Sequence, residues 1–184
     1  MVTLTTSTPA LDQLRPREQA ALLPELLATH PELADPLEAL ALERIRDVDA
    51  DRIARELMLR LHELPLDELA ARAGRKPGTY VHGTDAAYEL VTEAIAPYEE
   101  DLWRAAALDL SDVARTILLG IVDGLVRCCN ARDGSVLAYA GPDTPGELAA
   151  WLIRRALEAE IVLDRDEVED RCPDWTLLPD GLRT

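Results

Sequence analysis

Leucine and alanine recur every three or four residues along most of this chain, and strand signals are nearly absent. That spacing admits amphipathic helices and little else. The available core residues point the same way. There is no phenylalanine and aromatics make up 4% of the chain, so an interior has to be assembled from Leu, Ala, Val and Ile. Leu and Ala beside Glu and Arg favour helix, because unbranched side chains lose little rotamer freedom there. The 184 residues suffice for one sizeable core, with or without a tail.

Prolines, glycines and capping residues divide the pattern. A first helix is expected from about Pro16 to Thr29, with Leu22, Leu23, Leu26 and Leu27 as its stripe and a kink or a break into two turns at Pro24. His30-Pro31 ends it, and Pro31 opens a second helix carrying Leu33, Leu37, Leu40 and Ile45. Asp49 or Asp51 caps a third, with Ile53, Leu57, Leu61 and Leu64 in register and Pro65 as its stop. A short fourth helix, Leu66 to Ala73, ends at Gly74. The loop GRKPGTYVHGT spans 74–84, after which Thr84 or Asp85 opens a fifth helix through Leu102, kinked at Pro97. Ser111 or Asp112 starts a sixth, whose wide apolar face marks it as central. Thr144, Pro145 and Glu147 read as N-cap, N1 and N3 of a seventh. Residues 136–139 and 160–163 are the only candidates for extended backbone. The expected architecture is all-α: six or seven helices joined as αα-hairpins in a compact bundle or short helical array. Residues 1–10 read as a flexible start, 11–162 as one helical domain and 163–184 as an acidic tail.

Charge restricts the partners. With 35 acidic against 19 basic residues the net charge is -16, a field that repels nucleic-acid backbones and anionic membranes. Cys128, Cys129 and Cys172 are odd in number and two are adjacent, which is no disulfide framework. Met1 to Pro9 lacks the apolar core of a signal peptide, and no apolar run approaches the ~20 residues of a membrane span. A cytoplasmic setting is expected.

Catalytic and metal patterns are weak. Aspartates 47, 49 and 51 imitate the start of a calcium loop, but Arg52 stands where glycine is needed and Met58 where a bidentate Glu is needed. His30, His62 and His82 are far apart, and adjacent Cys128-Cys129 cannot both face one metal as a CxxC pair would. There is no G-x-S-x-G nucleophile signature. No cofactor or metal is expected. The one loop that gathers cationic and aromatic groups is 74–84. There Arg75, Lys76 (the only lysine), Tyr80 and His82 could form an anion or carboxylate site beside a helix N-terminus. Alternatively, Arg75 and Lys76 complement a helix C-terminus while Tyr80 and Val81 pin the loop to the core. Gly120 and Gly124 form a GxxxG pair that predicts close approach of another helix, or else a groove that exposes the helix backbone to a ligand or partner peptide, with Asp123 and Arg127 an i, i+4 pair beside it.

Between Leu22 and Val126, the segments LLPELLATHPELADPLEALA, LDELAARAG and GTYVHGTDAAYELVTEAIAPYEEDLWR resemble the helical segments that accompany SWIM-type zinc fingers in bacterial proteins. The resemblance implies a TPR-like helical auxiliary region with no catalytic residues. The zinc-finger ligands themselves are missing, since there is no C-x-C pair and no His after Cys128 or Cys172. Two functional classes follow. The first is a non-enzymatic helical protein–protein interaction module that takes an acidic-tolerant or basic protein partner, or forms a homodimer. The second is a small-molecule or anion binding protein or enzyme that uses the 74–84 loop.

Overall fold

The computed structural model describes residues 11–76, 78–129, 134–173 and 175. The start expected to be flexible, residues 1–10, and part of the acidic tail, 174 and 176–184, lie outside them. Among the described residues the chain is all-α, with nine α-helices and one two-stranded hairpin. It separates into two units that divide after Arg46, inside the stretch 11–162 that reads as one domain.

The first unit holds α1 (Pro16–Thr29), a 3-10 turn (Pro31–Leu33) and α2 (Ala34–Arg46). Glu18 reaches back to accept the Arg15 backbone N–H at 2.7 Å and so fastens the start of α1. The helix runs unbroken through Pro24. The two helices meet chiefly through the turn between them and not along their lengths, and neither has a single buried residue.

The second unit contains the core. Its elements are α3 (Ala50–His62), α4 (Leu66–Arg72), β1 (Gly74–Lys76), β2 (Thr79–Val81), α5 (Gly83–Ala107), α6 (Ser111–Arg127), α7 (Val136–Ala140), α8 (Thr144–Glu158) and α9 (Arg165–Arg171). Asp49 caps α3 by accepting the Arg52 N–H at 2.7 Å. Helix α6 is the axis: it packs on α3, α5, α8 and α9, and its residues from Ile117 to Leu125 are all buried. A helix apolar around so much of its circumference has to lie inside. The close approach expected of Gly120 and Gly124 is present. A Cβ on Gly120 would stand 2.8 Å from the Ala50 carbonyl oxygen and 2.8 Å from Ile53 Cβ. One on Gly124 would meet the Ala54 carbonyl oxygen at 3.0 Å.

Several local expectations are corrected. The 74–84 loop contains an antiparallel hairpin that pairs Gly74 with Val81, Arg75 with Tyr80 and Lys76 with Thr79. Helix α5 starts at Gly83 with His82 as N-cap, earlier than Thr84 or Asp85, and continues through Pro97. Residues 136–139 are helical, because Val136 and Leu137 gain complete burial on one face of a single turn and α7 packs on α5. Thr144 does not cap α8. Asp143 takes that position, while the buried Thr144 hydroxyl donates to the Ala140 carbonyl at 2.7 Å, joining α7 to α8. The acidic stretch after Leu163 forms α9, capped by Asp164, with Val168, Cys172 and Trp175 buried.

Candidate functional site

The hairpin places Arg75 and Tyr80 directly opposite each other across β1 and β2, and the rings of Tyr80 and His82 meet edge to face at 5.0 Å. Arg75, Tyr80 and His82 are all exposed, Tyr80 at 61%. The Lys76 side chain lies outside the described residues. What the geometry presents is a solvent-facing ridge. Arg72, three residues before Arg75, is the cation that ties this end of α4 to its neighbour. It donates to Glu68 at 2.5 Å and, through both terminal nitrogens, to Glu93 of α5 at 2.6 and 2.8 Å. These bonds hold the Glu93 carboxyl below its ordinary range.

The cysteines and histidines do not assemble a nucleophile. Cys128 Sγ lies 3.9 Å from His62 Nδ1, but that nitrogen donates its proton to the Met58 carbonyl at 2.8 Å and cannot serve as a base. Burial pushes the Cys128 thiol up to about 12 and the Cys172 thiol to about 11. At neutral pH both are protonated, and the thiol is the unreactive form. Among the described residues no three His, Cys, Asp or Glu side chains form a group that could hold a metal ion. Nor is any described helix long and apolar enough to cross a membrane.

Three further arrangements stand out in the second unit. The first is a buried carboxylate, Asp123 of α6. Arg127 grips it in a two-pronged pair at 2.7 Å for each bond, and Arg171 of α9 approaches it at 3.5 Å while bonding Asp51 of α3 at 2.5 Å. Arg115 of α6 pairs with Glu167 of α9 nearby. This network fastens α3, α6 and α9 together. The second is an open hollow of about 510 Å³ between α3 and α5, lined by Glu56, Leu59, Arg60, Glu63, Pro65 and Tyr98 among others. The third joins α5 to α8. The Arg155 guanidinium lies 4.7 Å from the ring centre of Trp103 and 5.3 Å from that of Trp151, with Glu99 at 3.7 Å.

In the first unit the site is a surface. Leu22, Leu23 and Leu26 on α1 are exposed at 38, 50 and 40%, and Leu40 on α2 at 57%. Sequence reasoning recognised these leucines as helix stripes, and a stripe has the same spacing whether it is covered or open. It missed the Trp103–Arg155 cluster, although Glu99 with Trp103 and Trp151 with Arg155 are each i, i+4 pairs. Their meeting across two helices is a tertiary fact.

Fold and surfaces together define a small, acidic, all-α protein with a buried axial helix and a separate leucine-bearing helical unit. In comparisons with family models, curated proteins and solved structures, the chain matches none.

Proposed function

We propose that this protein is a non-enzymatic helical interaction module whose contact face is carried by α1 and α2. One observation supports this reading above the others: the leucines of the first unit stay exposed, and no described residue before Ala50 is buried. Fully burying one leucine is worth about 1.5–3 kcal/mol. Helices of 13 and 14 residues are marginal in water by themselves. A protein surface laid over Leu22, Leu26 and Leu40 would supply the missing burial. The partner's character follows from charge. Glu18, Glu25, Asp35, Glu38 and Glu43 are exposed among those leucines in a chain of net charge -16, so the matching surface is apolar with a basic rim. The likeness to helical segments that accompany SWIM-type zinc fingers points to the same class of protein.

The test is a triple substitution, Leu22→Ser, Leu26→Ser and Leu40→Ser, compared with the parent in pulldowns at low and high salt. The expected result is a basic protein retained by the parent at low salt and released at high salt. The variant should lose it while melting at the parent's temperature. Equal retention by the variant, or a large fall in its melting temperature, would count against the reading, since the face would then be either idle or part of the chain's own packing.

A further inference from the structure

We infer that Glu99, Trp103 and Trp151 form a binding site for a quaternary ammonium group, occupied by the chain's own Arg155 when no such ligand is present. Helices α5 and α8 both pack on α6 but make little backbone contact with each other, so the gap between them is spanned by these long side chains. Each helix contributes an i, i+4 pair, Glu99 with Trp103 on α5 and Trp151 with Arg155 on α8. The result is two indoles and a carboxylate around one cation. Tryptophan is the side chain whose ring face attracts a cation most strongly, and two such faces within about 6 Å of one charge is the arrangement that recognises methylated ammonium.

The present occupant is a loose fit. Arg155 Nη1 stands 3.7 Å from Glu99, beyond hydrogen-bond range, so the guanidinium is held by charge and ring faces and not by its directional donors. Its side chain remains 48% accessible to water. The Trp103 indole N–H lies close to the same carboxylate without closing a hydrogen bond of normal geometry. Half-burial raises the Glu99 carboxyl above its ordinary range, with Arg155 and Trp103 opposing that rise, which marks a carboxylate better off beside a positive charge. A quaternary ammonium has no donors to satisfy and a weakly held hydration shell, so in this site it gives up less than a guanidinium does. The surrounding charge of -16 raises the local concentration of any cation.

This site is independent of the leucine face of α1 and α2, and its test is separate. Tetramethylammonium chloride is titrated into the full chain against sodium chloride of equal ionic strength, with the indole N–H resonances followed by NMR and assigned by single Trp→Phe variants. Trp103 and Trp151 should shift saturably with tetramethylammonium only, while buried Trp175 stays in place. Arg155→Ala should tighten binding by roughly fivefold or more, because apparent affinity scales with the fraction of sites that are open. Glu99→Gln should weaken it, and Trp151→Ala should abolish it. Choline and a peptide bearing trimethyl-lysine then separate a small-molecule source from a protein source, according to which binds more tightly. Absence of a saturable shift in both the parent and Arg155→Ala would overturn the inference, as would an Arg155→Ala variant that binds no more tightly than the parent. A thermal melt of each variant confirms that it is folded before its titration is read.

Discussion

Gly120 shows how much one missing methyl group can decide. In a helix interior alanine outperforms glycine by about 1 kcal/mol, so propensity alone favours Gly120→Ala. Here the added Cβ would press on the Ala50 carbonyl oxygen at 2.8 Å, and that atom belongs to the backbone of α3 and cannot swing aside. Overpacking of this kind costs about 1–3 kcal/mol. Gly120→Ala is therefore expected to lower the melting temperature despite its better propensity, and a rise would mean that α3 and α6 stand further apart. Gly124 faces the same helix at 3.0–3.2 Å and should be the milder of the two. The GxxxG spacing announced this contact in advance. The identity of the facing helix could not be read, since nothing local to α6 distinguishes α3 from the other candidates.

At the scale of elements, α9 is the informative case. A run of five acidic residues between Asp164 and Asp170 reads as solvated tail, and electrostatics alone would leave it there. Tertiary contacts reverse that. Arg171 bridges Asp51 and Asp123, Arg115 pairs with Glu167, and Val168 goes fully under cover. Asp123→Ala removes the shared anion and leaves Arg127 and Arg171 with water as an alternative, since both are partly exposed. The expected cost is about 1–3 kcal/mol, less than the 3–5 kcal/mol of stranding a fully buried charge. Hydrogen exchange should locate it: amides of 165–171 should exchange faster while those of α8 keep their protection. Unchanged exchange in α9 would show that Val168 and Trp175 hold the helix without the ion network.

For the whole molecule, the distribution of burial matters more than its amount. Every described buried residue lies at Ala50 or beyond. The fragment 47–184 is thus expected to melt within about 3 °C of the full chain, which for a domain of this size is about 1 kcal/mol. A fall of about 10 °C or more would show that residues before 47 contribute to the cooperative core. If the fragment keeps its stability, the exposed leucines of α1 and α2 have no structural task inside the core of the second unit, which is what the proposed contact face requires.

What the sequence by itself determined is local. Helix positions from Pro16 to Arg127, and that of α8, follow from i, i+3 and i+4 spacing and from the prolines and glycines that interrupt it, because those signals act within one or two turns of backbone; α7, which reads from the sequence as extended backbone, does not. The all-α class follows from the same cause, as does the Gly120–Gly124 contact. Which apolar stripes are covered was decided only by the tertiary structure. Leu57 and Leu61 on α3 are fully buried while Leu23 and Leu40 are open, although the four sit in similar stripes. Periodicity records which face of a helix is apolar, and burial depends on what arrives opposite that face. The same holds for the candidate site: Glu99, Trp103, Trp151 and Arg155 come from two helices separated by all of α6, and only the packing of both helices on α6 brings their side chains to one cation.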